Sequence, residues 1–134
     1  MNEKSWLGCE GATLEDLNGL SAVTGNVLPT SYLSFLGNSN GGEGPLRDDP
    51  YWMVLDPATD VAAAVATSTF SKSFPGLLVI GGNGAGEGIA FDFRADHDGR
   101  IVFFDMTNSD LMESIRPLAG SFSALLDLIG EPDI

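Results

Sequence analysis

Thiol and imidazole chemistry is almost missing from this chain: Cys9 is its only cysteine and His97 its only histidine. One cysteine cannot close an intrachain disulfide, which points to a reducing compartment. One Cys and one His cannot build a zinc site unless carboxylates supply the remaining ligands. No Cys–His or Ser–His–Asp arrangement can be assembled, and nothing marks a serine for activation. The expectation is a protein that is not an enzyme and carries no metal and no cofactor. Positive charge is scarce too, with six Lys and Arg against 19 Asp and Glu, a formal charge of −13. Such a field repels nucleic acid and anionic membrane and draws in basic partners. Long apolar runs are also absent: none approaches the roughly 20 residues of a membrane-spanning helix. The first nine residues lack the basic and apolar regions of a secretory leader. The chain therefore reads as cytoplasmic.

The acids are not gathered in a tail. Nine lie in residues 1–60 and ten in 61–134, so the charge belongs to the whole globule. With 134 residues, 43% of them hydrophobic, the chain reads as one domain spanning 1–134. It is long enough to bury about two-thirds of its unfolded surface without a disulfide or metal.

Thr13 followed by Glu15 and Asp16 reads as an N-cap with acids in the first turn, and Leu17, Leu20 and Val23 share one face. The spacing predicts a helix over 13–23. Pro29 suits the first position of a second helix over 28–36, where Tyr32, Phe35 and Leu36 form the apolar face. Gly37 is its expected stop, and Asn40-Gly41-Gly42 supply positive-φ positions for the exit. Residues 37–50 read as a loop. Tyr51–Leu55 reads as a strand ended by Asp56-Pro57, and Asp60 as the cap of an alanine-rich helix over 61–66 that Thr67-Ser68-Thr69 ends. Three strands follow: Leu77–Ile80, an apolar run; Ile89–Phe93, alternating with one apolar face; and Arg100–Phe104. Asp98-Gly99 marks a hairpin turn between the last two. Ser121 opens a final helix with Phe122, Leu125, Leu126 and Ile129 on one face, stopped by Gly130 and Pro132. The sum is an α+β domain in which an N-terminal helical hairpin and a C-terminal helix pack on an antiparallel sheet.

Two tempting motifs fail on register. In Gly81–Gly88 the G-x-G-x-x-G pattern would need glycine where Glu87 stands, no Gly-Lys-Ser/Thr follows, and the next element is a strand. The segment reads as a wide turn between strands. Asp96, Asp98 and Gly99 match three positions of a calcium loop, but Arg94 occupies its first position and strands flank it. Those acids, with His97, read as a polar hairpin tip.

The series Leu28-Pro29, Tyr32, Phe35-Leu36 and Asn40-Gly41-Gly42, in the pattern LPxxYxxFLxxxNGG, resembles the opening signature of the SUKH superfamily. Three later pieces stand in that superfamily's order: Pro75–Gly82, then Gly84 to Glu87 leading into Ile89–Asp92, then Ala119–Leu126. The resemblance spans about residues 14–129. It implies an α+β domain like that of a fungal cell-wall regulator and of many bacterial immunity proteins. For a compact bacterial member it implies an immunity protein that binds and neutralises a secreted toxin domain, typically a nuclease, as a protein partner and without catalysis. The alternatives are an intracellular regulatory interaction module and a small-ligand binder. From charge and loop position, the candidate partner-binding residues are Glu43, Asp48, Asp49, Glu87, Asp96 and Asp98. Trp52 is weighed two ways: strand tryptophans mostly pack in the core, yet beside Glu43, Asp48, Asp49 and Asp56 it could anchor a partner.

Overall fold

The computed structural model describes residues 6–25, 27–47, 51–66, 76–84, 86–94, 99–105 and 115–130. The first helix, α1 (Leu14–Val23), starts where expected: the Thr13 hydroxyl accepts a hydrogen bond from the Asp16 N–H at 3.1 Å. Leu20 is fully buried, whereas Val23, expected on the same face, is exposed at the last turn. Helix α2 (Thr30–Asn38) buries Tyr32, Phe35 and Leu36. Two details of the sequence reading need correcting. Pro29 precedes the helix as its cap, with extended ψ, and Gly37 lies inside the helix. The stop comes from tertiary contact: the Ala12 N–H donates to the Leu36 carbonyl at 2.8 Å, so the N-terminal segment meets an end that a glycine cap would otherwise serve. The chain then turns through Gly41 and Gly42, both with positive φ; a Cβ on Gly41 would run into the Leu55 backbone.

What reads as a loop contains a strand. β1 (Gly42–Pro45) pairs with β2 (Trp52–Leu55), and an isolated bridge ties Glu43 to Leu7 on its other side. Gly-Glu-Gly-Pro carries no strand propensity; pairing on both sides makes it one. Helix α3 (Ala58–Ala66) begins before Asp60, which lies in its first turn. Its cap is distant in sequence: the Asn40 side-chain oxygen accepts from the Ala58 N–H at 2.8 Å. The expected terminators Thr67–Thr69 lie outside the described residues.

β3 (Leu77–Gly82), β4 (Glu87–Asp92), β5 (Arg100–Asp105) and β6 (Arg116–Ala119) complete a six-stranded antiparallel meander in chain order. Gly81 and Gly82 belong to β3 and Gly88 to β4, so the turn between them is shorter than the wide turn expected. β6 escaped the sequence reading because Arg-Pro-Leu-Ala is short and lacks β-branched residues. In the β4–β5 turn Asp98 lies outside the described residues; Gly99 has φ +90° and donates to the Asp92 carbonyl at 2.9 Å. Helix α4 (Phe122–Asp127) is capped by the Ser121 hydroxyl, which accepts from the Ala124 N–H at 3.1 Å.

All four described helices contribute to one core with the sheet: Leu20, Tyr32, Phe35, Val61, Phe122 and Leu125 meet Met53, Leu55, Ile80, Ile89, Phe91 and Ile101. Tyr32 sits edge-on to Phe91 and Phe122, with ring centroids 5.1 and 5.0 Å away. The α+β expectation holds. β4 differs from it in being buried on both faces: Ile89 and Phe91 face the helices, while Ala90 joins Leu77, Val79, Val102 and Phe104 behind the sheet. The predicted alternation with a single apolar face fits an outer strand, and β4 is central.

Candidate functional site

The acid with the most partners is structural. Asp92 is fully buried and accepts from Arg94 through its N–H, Nε and Nη2 (3.1, 2.9 and 2.9 Å) and from Arg100 Nε (3.0 Å). Burial pushes its carboxyl up, but the hydrogen bonds and charge of the two arginines outweigh that and hold it well below the usual carboxylate range. This clamp joins the end of β4 to the start of β5. Arg116, stacked 4.1 Å over the Phe103 ring, pairs with Glu87. Three of the six basic residues thus direct their charge at two acids inside the sheet region.

A different surface lies at the β1–β2 edge. Residues opposite one another in an antiparallel pair project to the same face. Glu43 stands opposite Val54, and Pro45 opposite Trp52, with Leu7 bridged to Glu43 from outside. Gly44 pairs with Met53, a core residue, so Glu43, Pro45, Trp52 and Val54 project away from the helices. Trp52 is 38% exposed, Tyr51 54% and Leu7 62%. The core placement favoured for strand tryptophans is therefore corrected for Trp52. It sits opposite a proline near the strand end, on the face away from the helices, whereas Trp6 is the tryptophan that packs inside, edge-on to Phe35. Tyr51 has φ +65°, the one non-glycine positive φ among the described residues. A bulky side chain in that region is strained, and such strain gathers at functional positions.

This strip runs into a cleft of about 350 Å³ lined by Val54, Asp56, Val79, Gly81, Gly82, Gly84, Gly86 and Glu87. Glycines make it: a Cβ at Gly81 would fall on the Val54 carbonyl oxygen, so the strands close to this distance only without side chains there. Glu87 is tied down on one side, with Oε1 accepting from Asn83 Nδ2 at 3.0 Å and Oε2 paired with Arg116. Asp56 differs. It is partly buried, and its side chain makes no hydrogen bond or ion pair among the described residues. Burial, and then the charge of Asp60, push its carboxyl up. The Tyr32 hydroxyl, buried with no hydrogen-bond partner, is raised by burial and next by the charge of Asp56.

Of the seven residues expected from sequence, Glu43 and Trp52 come together on one face, and Glu87 lines the adjoining cleft. Asp48, Asp49, Asp96 and Asp98 lie outside the described residues. Asp56, visible in the sequence only as a strand terminator beside Trp52, is the carboxylate that reasoning passed over. No local signal marks it, because its place at the cleft depends on pairing with β3, where its N–H donates to the Ile80 carbonyl at 2.8 Å. Among the described residues no group of three or more His, Cys, Asp or Glu could hold a metal, and no helix is long and apolar enough to cross a membrane.

A small α+β domain with the described helices packed on one face of a six-stranded antiparallel meander defines the class. The model of the SMI1 / KNR4 family (SUKH-1) matches residues 11–128, and the chain belongs to that family. No curated protein matches it.

Proposed function

We propose that this chain is an immunity protein that binds and neutralises a secreted toxin domain inside the cytoplasm, without catalysis, cofactor, nucleic acid or membrane. The partner is a basic protein domain, with a nuclease as the leading candidate, because nucleases present cationic clefts to phosphate. The observation that supports this reading is the exposed Trp52, preceded by the exposed Tyr51 and on the same sheet face as Glu43, on a domain of charge −13. Interfaces concentrate their energy in such aromatic anchors, and a complementary field raises the association rate. Asp48 and Asp49 precede Trp52 in sequence, and reversing both charges together should slow binding at low salt.

Affinity capture at low salt, with elution on a salt gradient, tests the reading. The expected outcome is one basic domain in near-equal amount, whose nuclease activity is blocked while bound. Trp52→Ala should then weaken the complex by about thirtyfold, as a 2 kcal/mol hot spot implies, with the melting temperature unchanged. Binding that ignores salt would favour the regulatory interaction module instead. A Trp52→Ala variant that binds as tightly as the parent would remove this face from the interface.

A further inference from the structure

The cleft beside Asp56 has a composition that the toxin reading does not account for. Its walls are two valines and the backbone of four glycines, and its acidic groups are Asp56 and Glu87. The Glu87 carboxylate is already met by Asn83 and Arg116, so it adds little demand for a further cation. Among the described residues Asp56 has no such partner. A partly buried carboxylate without a counter-charge carries a desolvation cost that nothing in the described fold offsets. The flat, glycine-lined walls suit a planar cation. A guanidinium is weakly hydrated, lies against apolar and peptide surface, and meets a carboxylate with two parallel N–H bonds; an ammonium does neither as well.

We propose that this cleft is a receptor site for an arginine side chain, with Asp56 as its anionic contact and Val54 and Val79 against the aliphatic stem. For its biological occupant the proposal rests on the toxin reading, since the arginine would come from the basic partner seated on the adjoining Trp52 strip. Val54 belongs to both surfaces, projecting beside Glu43 and lining the cleft. One bound protein can therefore engage both.

The test uses the isolated full chain and a small probe. Ethylguanidinium is titrated into labelled protein and followed by amide NMR shifts, with the neutral analogue ethylurea in parallel. Saturable shifts are expected at Val54, Gly81, Gly82, Gly84 and Gly86, with little response to ethylurea. Asp56→Asn should weaken the probe at least about fivefold, in line with loss of a charge-assisted contact. Asp60→Asn, removing a nearby charge outside the cleft lining, should change it less than about twofold. Asp56→Ser repeats the measurement should the amide perturb the fold. Three results would overturn the site: unsaturating shifts spread over the acidic surface, equal binding of ethylurea, or unchanged affinity in both Asp56 variants. Failure here leaves the Trp52-dependent capture free to succeed. Failure of that capture, with this titration positive, would remove the toxin and keep the cleft.

Discussion

Replacing Asp92 with asparagine keeps the shape of the side chain and removes the charge that Arg94 and Arg100 both address. Breaking a buried ion pair from one side costs about 3–5 kcal/mol, mostly from the charge left behind. Here the charges left behind are arginines whose side chains are 22% and 29% exposed, so water can recover part of that cost. A loss of about 2–3 kcal/mol is the expected result. For a chain of this length each kcal/mol shifts the melting temperature by about 4 °C, giving a drop of roughly 8–12 °C. Urea titration followed by circular dichroism at pH 7 measures it directly.

The pH dependence separates an electrostatic clamp from simple packing. In the folded state the Asp92 carboxyl lies well below the roughly 3.9 of an unfolded aspartate. Between those values the unfolded chain binds a proton that the folded chain does not, so this contribution rises with pH across that window. It is fully present above about pH 5 and lost as the pH falls below about 4. Asp92→Asn lacks it, so the gap between the two proteins should close on acidification. A gap that stays constant from pH 7 to 2, or a pH 7 melting temperature within about 2 °C of the parent, would refute the reasoning.

Asp56→Asn should stabilise the protein at pH 7: its carboxyl is raised in the folded state, so the folded chain holds its proton more tightly and loses stability as pH rises through that value. Urea midpoints for parent and variant should converge below about pH 4, and a destabilised variant at neutral pH would mean that Asp56 has a partner. Tyr32→Phe deletes a buried hydroxyl with no partner, so stability should hold or rise by up to about 1 kcal/mol; a fall of that size would reveal a hydrogen bond. Gly19, exposed in α1 with no atom within 4 Å of its added Cβ, should gain about 0.5–1 kcal/mol on replacement by alanine. Gly81→Ala should lose about 1–3 kcal/mol by pushing β3 off the Val54 carbonyl. Thermal melts of the pair check both signs, and a neutral Gly81→Ala would mean that the strands yield there.

The helices were readable because their information is local. Thr13 and Ser121 cap within three residues of their targets, and the Tyr32–Phe35–Leu36 spacing needs only the helical repeat. Elements whose cause is distant were not readable. β1 exists because β2 and Leu7 pair with it, α2 runs through Gly37 because Ala12 meets its end, and α3 starts early because Asn40 reaches Ala58 across 18 residues. The same limit applies to the surface. That Trp52 is acid-flanked is plain in the sequence, but that it projects away from the helices depends on Met53 being paired into the core. Asp56 is held beside β3 by its N–H, which donates to the Ile80 carbonyl at 2.8 Å, a contact 24 residues away in the chain.

The residues that carry the family resemblance shape the scaffold, the glycine walls of the cleft included, whereas Glu43, Trp52 and Asp56 lie outside the resemblance. Tyr32, Phe35 and Leu36 form the centre of the helical side of the core, Asn40 caps α3, Gly41 admits the Leu55 backbone, and Asp92 clamps β4 to β5. Each has a sufficient physical reason within the fold, with no partner required. Glu43, Trp52 and Asp56 have less of one: Trp52 leaves over a third of its surface in water, Asp56 has no side-chain partner among the described residues, and the upward shift of its carboxyl says that its charge opposes folding. A signature made of folding residues identifies the scaffold and is silent on the partner. The costly residues outside it are therefore where the choice of partner is written, and exchanging Glu43, Trp52 and Asp56 as a set should change what this domain binds while leaving how it folds intact.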